Sequence, residues 1–212
     1  MSPLAFVLAL VGLAYGFAAD RVAARWPAHE TEGIRPIDWR TAVVAAIGGL
    51  ALGALPGRFG DPPHLVLFVV YFLALLLLLA TDLDQRLLPD LVTLPLIPAA
   101  LAVRQLGLLP DGFGPLWGAV AIAILLPAGL YLLSVPFGAG AIGIGDLKLL
   151  VGVGLLSGLV RTIVGIAGGA LLAGVVVLAL LLTRRVGLRT YIPFGPFLII
   201  GAFWAVLNAG VG

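Results

Sequence analysis

Cysteine is absent from the 212 residues, methionine occurs once and histidine twice. Without a thiol the chain can form no disulfide, no thiolate zinc site and no cysteine nucleophile, and it carries no mark of its redox compartment. Charge is scarce too: Asp, Glu, Lys and Arg make up 10% of the sequence, against about 25% in an ordinary soluble domain. That shortage excludes a water-soluble globular class. What is present instead is apolar, 62% of the residues, with a mean hydropathy of +1.20. The apolar residues run continuously rather than alternating, so the chain reads as an all-α polytopic membrane bundle and not as a barrel of ~10-residue alternating strands. The isoelectric point near 9.4 comes from twelve basic residues spread through the breaks between apolar runs. Such a spread is that of topology determinants, and no nucleic-acid partner is expected.

Eight runs approach the ~20 residues that a bilayer core requires: 3–19, 41–56, 64–81, 91–105, 114–136, 147–158, 162–182 and 194–211. Pro, Gly and charge punctuate them, as in "PGRFGDPP" at 56–63 and "FGAGAIGIGD" at 137–146. The expectation is one membrane domain over 1–212, with a short cytoplasmic loop at 20–40 and the chemistry-bearing motifs within 64–212. No basic residue precedes the first run, whereas Arg21 and Arg25 follow it, which predicts a retained anchor with its amino terminus outside. In that orientation nine of the twelve basic residues fall in inner loops and three, Arg58, Arg104 and Arg161, in outer ones. The split agrees with the positive-inside rule and with an even number of spans.

Against this apolar background the acids stand out. "DLDQRLLPDLVTLP", residues 82–95, places Asp82, Asp84 and Asp90 directly after one span, and "GIGDLKLL", residues 143–150, sets Asp146 at the head of another behind Gly143 and Gly145. The topology puts both stretches on the inner face. A carboxylate at a membrane edge is costly to leave charged and unpaired, so it is a functional candidate, although flanking acids such as Asp84 and Asp90 can also be simply solvated. Two aspartates brought together share a proton, leaving one as base and the other as acid. One can then activate water while the other polarises a peptide carbonyl, with no metal, no cofactor and no covalent intermediate. Histidine is poorly placed for catalysis, since His29 and His64 fall on opposite faces. A magnesium site built from Asp82, Asp84, Asp90 and Asp146 is the competing chemistry that oxygen ligands permit.

Three stretches together resemble the type IV prepilin peptidase family, aspartic proteases of the inner membrane. "DLDQRLLPDLVTLPL" is similar to the family's Asp, then hydrophobic-Pro-Asp, then Leu-Thr-Leu-Pro; "GIGDLKLL" is similar to its Gly-x-Gly-Asp-x-Lys-Leu signature; and "YIPFGPFLIIG" resembles its late Pro-Phe-Gly-Pro segment. The resemblance implies Asp82 and Asp146 as the catalytic pair, because the family aspartate stands seven residues before the motif proline, here Pro89. It implies Lys148 as a cation that lowers the pKa of Asp146 or holds the loop, Gly143 and Gly145 as the bend, and Pro193, Phe194, Gly195 and Pro196 as a cavity wall. The implied activity is cleavage of a basic leader after a glycine at the cytoplasmic face. Type IV prepilins or pseudopilins and membrane lipid are the implied partners.

Fuller members of that family carry paired cysteines and zinc in an enlarged first cytoplasmic loop and also methylate the new amino terminus. The 21-residue stretch "DRVAARWPAHETEGIRPIDWR" has no cysteine, so the expectation is a compact form with peptidase chemistry alone. A basic leader would be drawn to the inner acids Glu30, Glu32, Asp38, Asp84 and Asp90, with Asp84 and Asp90 as leader-holding candidates. Two other classes are weighed. A presenilin-like protease shares Gly-x-Gly-Asp but expects a Tyr-Asp and a Pro-Ala-Leu that this chain lacks at matching positions. A proton-coupled transporter expects acids near mid-span, whereas Asp82 and Asp146 lie at span ends.

Overall fold

The computed structural model describes residues 2–26, 35–137, 142–185, 187 and 193–208. Its elements are helices, and no strand occurs among the described residues. Contacts divide the chain into two compact units, residues 1–111 and 112–212.

The first unit holds α1 (Pro3–Ala23), α2 (Trp39–Arg58), α3 (Pro62–Gln85) and α4 (Asp90–Gln105). Each of the first three starts on a side-chain cap. Ser2 accepts from the Ala5 N–H, Asp38 and Thr41 form a reciprocal capping box, and Asp61 accepts from the His64 N–H with two prolines opening the helix behind it. Helices α1 and α2 meet through glycine. A methyl group at Gly12 would land on the Gly48 carbonyl, and one at Gly48 on the Gly12 carbonyl, so the two backbones touch where a side chain would part them. The inner face of α3 supplies Phe68, Phe72, Leu75, Leu76 and Leu79, all fully buried, to the seam with α1 and α2.

The second unit holds α5 (Leu116–Ser134), a 3-10 turn at Val135–Phe137, α6 (Ile144–Ser157), α7 (Leu159–Leu182) and α8 (Gly195–Leu207). The α7–α8 seam repeats the device of the first unit: Gly165 lies against the backbone of Gly201, and Gly169 against that of Phe197. Gly154 is packed on Ala123 of α5. Gly158 has another task, since its φ of 79° makes the turn that separates α6 from α7.

All eight expected runs are helical, and five of the helices, α1, α2, α3, α5 and α7, are long and apolar enough to cross a bilayer. Large apolar side chains such as Phe6, Leu10, Leu171 and Leu182 are exposed on them, the inside-out pattern of a chain whose solvent is lipid. Two boundaries differ from the sequence expectation. Asp82 and Asp84 lie inside α3, not in a loop after it, because nothing breaks the helix until Arg86 adopts the left-handed conformation at φ 56°. Asp90 likewise stands in the first turn of α4, where an acid complements the helix dipole. Of the long 20–40 stretch, Asp20 to Ala23 belong to α1 and Trp39 and Arg40 to α2, while His29, Glu30 and Glu32 lie outside the described residues.

Candidate active site

Asp82 sits one turn from the end of α3 and is 4% exposed. Its carbonyl accepts the Arg86 N–H that closes the helix, so the backbone around it is fixed by the left-handed residue. Thr81 beside it is also buried and turns its hydroxyl onto the Leu77 and Leu78 carbonyls of its own helix. The helix end is further tied to its neighbours. Asp84 forms ion pairs with Arg40 at 2.9 Å and Arg35 at 2.6 Å, and the Gln85 amide donates to the Ala23 carbonyl at the end of α1. Arg35 in turn meets Asp38 and Asp20; Asp20 is fully buried and also accepts from Arg21 and from the Thr41 hydroxyl at 2.7 Å. Asp90, in contrast, is exposed.

Asp146 occupies the third position of α6, with Gly143 as the N-cap. Its carboxyl folds back to accept the Gly143 N–H, half of a capping box, and a methyl group on Gly143 would come within 3.3 Å of that carboxyl oxygen. Glycine at the cap therefore leaves room for the acid. Partial burial pushes the Asp146 carboxyl up to about 6, and the Gly143 N–H opposes the shift only in part. This acid can hold a proton near neutral pH. Lys148 is half-buried two residues along the same helix. Pro193 and Phe194 lead into α8, and Gly195 and Pro196 are buried in its first turn.

Sequence reasoning does not reveal the polar hub of the first unit, where Asp20 gathers Arg21, Arg35 and Thr41, Asp38 meets Arg35, and Arg35 and Arg40 reach Asp84. Counting arginines by membrane side treats them as topology signals only. The signal was available in Asp20, an acid ending an apolar run just as Asp82 does. Also missed was Arg161, 2% exposed at the start of α7: it donates to the carbonyls of Gly112, Ala205 and Asn208 and lies over the Phe113 ring at 4.5 Å.

The chain is similar to several curated proteins. A prepilin leader peptidase/N-methyltransferase of Stutzerimonas stutzeri is 30% identical over 171 residues, covering 81% of this chain and 59% of the relative. The protein of the same name in Burkholderia pseudomallei (strain 1026b) is 35% identical over 161 residues, 74% of this chain and 50% of that one. That of Pseudomonas aeruginosa is 29% identical over 168 residues, 79% and 58% respectively. The chain thus spans 50 to 59% of the length of these relatives. No solved structure matches it. Residues 69–179 match the type IV leader peptidase family, a stretch that contains Asp82, Asp84, Asp90, Gly143, Gly145, Asp146 and Lys148 and stops short of Pro193 to Pro196. With both acidic motifs inside that match, the chain belongs to the type IV leader peptidase family.

Proposed function

We propose that this chain is a multi-pass inner-membrane aspartic endopeptidase that removes the basic leader of prepilin-like proteins after a glycine. Its amino terminus lies outside and its site faces the cytoplasm. The observation that carries the reading is the family match enclosing both Asp82 and Asp146. The raised Asp146 carboxyl supports an assignment of roles within the pair. Asp146 donates its proton to the scissile carbonyl oxygen while Asp82 takes one from a water, whose oxygen attacks the carbonyl carbon. As the C–N bond breaks, Asp82 passes its proton to the leaving amine and Asp146 recovers one from the diol. The step consumes one water and requires no cofactor. Thiolate zinc has no ligand in this sequence, and we assign the chain no methyl transfer.

In this reading the exposed Asp90 meets the cations of the leader, and Pro193, Phe194, Gly195 and Pro196 wall the cavity for the apolar helix behind the cut. The test is cleavage of a peptide with a basic leader, a glycine at the cut and an apolar helix after it. The purified protein cuts after the glycine. Asp82→Asn and Asp146→Asn each lower the rate by about 10²–10⁴-fold while the helical circular dichroism is retained. Survival of activity in either variant refutes the pair and makes Asp84 or a metal-dependent site the next assignment.

A further inference from the structure

We propose that Asp84, Arg35, Arg40 and Gln85 form a clamp whose task is to position the Asp82 carboxyl, an assignment that rests on the peptidase reading above. Asp82, Asp84 and Gln85 share the last turn and a half of α3. A helix end has no following turn to hold its last carbonyls and frays unless other groups pin it. Here two neighbouring side chains do the pinning, in different directions. The Asp84 carboxylate, 3% exposed, meets the Arg35 guanidinium at 2.6 Å and that of Arg40 at 2.9 Å, and Gln85 reaches the Ala23 carbonyl at 3.1 Å. Arg40 is itself set by the capping box at the start of α2, and Arg35 by Asp20 and Asp38. The clamp therefore links the end of α3 to the end of α1 and the start of α2. A carboxylate so enclosed could take a leader lysine only by giving up two guanidinium partners, which favours positioning over leader binding for Asp84.

Misplacement of a reacting group by ~1 Å costs about 10²-fold in rate. The experiment measures kcat and KM per folded protein for Asp84→Asn, Arg40→Gln, Gln85→Ala and the conservative Arg40→Lys, on the leader peptide described above and well below each melting temperature. The expected result is a fall in kcat of about 10- to 100-fold for Asp84→Asn at unchanged KM, a smaller fall for Arg40→Gln and Gln85→Ala, and recovery of most of the Arg40→Gln loss in Arg40→Lys. A purely structural role would lower the folded fraction and leave kcat per folded protein at the parent value, overturning the proposal. A rise in KM with kcat intact also overturns it and returns Asp84 to leader binding. Should Asp84→Asn fail to fold, Arg40→Gln, whose side chain is 29% exposed, decides the matter on the same two constants. Failure of the catalytic pair is seen separately, as activity in Asp82→Asn or Asp146→Asn.

Discussion

The two units bury charge by opposite means. In the first, Asp20 and Asp84, with side chains 1% and 3% exposed, are balanced by Arg21, Arg35 and Arg40, so charge answers charge across three helices. In the second, the guanidinium of Arg161 rests on the carbonyls of Gly112, Ala205 and Asn208 and on the Phe113 ring. Two of those carbonyls belong to the last turn and cap of α8, a helix end that attracts a cation. The difference extends to the two acids of the proposed pair. Asp82 lies beside a charged hub that fixes its helix, whereas Asp146 is placed by a glycine cap and a backbone N–H. A side-chain network can be broken one partner at a time; a backbone arrangement fails only when its space is filled.

The largest expected effect comes from removing one arginine from each unit. Arg35→Met strips one partner from both Asp20 and Asp84. Breaking a buried pair costs about 3–5 kcal/mol, and Arg21 and Arg40 remain to hold the cost toward the lower end. Arg161→Met strands neutral carbonyls instead, at about 1–3 kcal/mol for each one left buried, and the methionine keeps contact with the Phe113 ring. Denaturation of both variants in the same detergent checks the contrast. The sharper form is the double variant Arg35→Met with Asp84→Asn, which should cost less than the sum of the two single changes because they share one ion pair. Additivity would show that the hub does not act as a unit.

A smaller effect separates Asp146 by pH. Its carboxyl is raised to about 6, against about 3.9 in an unfolded chain. Between those values the folded protein holds a proton that the unfolded chain has released, so the contribution of this group to stability is present below the window and falls as pH rises through it. In the proposed mechanism activity shares that direction, since a deprotonated Asp146 cannot donate to the carbonyl oxygen. The melting temperature of the parent, compared with Asp146→Asn from pH 4 to pH 7, should show the parent losing more as pH rises. Gly143→Ala should lower kcat, because the added methyl crowds the carboxyl oxygen at 3.3 Å. Unchanged activity in that variant would mean that the cap geometry is not what places the acid.

Much of the fold was legible because a bilayer imposes a length on apolar runs, and each of the eight runs became a helix. Both motif acids were legible too, since charge is scarce enough in this chain for any carboxylate at a span edge to stand out. The hub was not. Asp20, Arg35 and Arg40 are ordinary residues for the ends of spans, and only the packing of α1 and α2 against α3 turns them from topology signals into partners. Arg161 escaped for a related reason: its acceptors are backbone carbonyls, which the sequence does not distinguish from any others. Helix ends deceived as well, because the αL conformation of Arg86 follows from no glycine or asparagine at that position.

The smallest expected effect tests whether every ion pair of the first unit counts. Asp61 and His64 meet at 2.5 Å at the other end of α3 from Asp82, and Asp61 is exposed. The His64 imidazole beside it holds the Asp61 carboxyl below the usual carboxylate value. Stability from that shift is present above the unfolded pKa and lost as pH falls through the lowered folded one, a window well below neutrality. Solvent screening makes such a pair worth little. His64→Ala should therefore leave the melting temperature at pH 7 within error of the parent, since the Asp61 cap on the His64 backbone N–H survives the change. Asp61→Ala removes that cap as well and should be the more costly of the two. Equal losses would assign the energy to the Asp61–His64 contact and remove the contrast between buried hub and exposed pair.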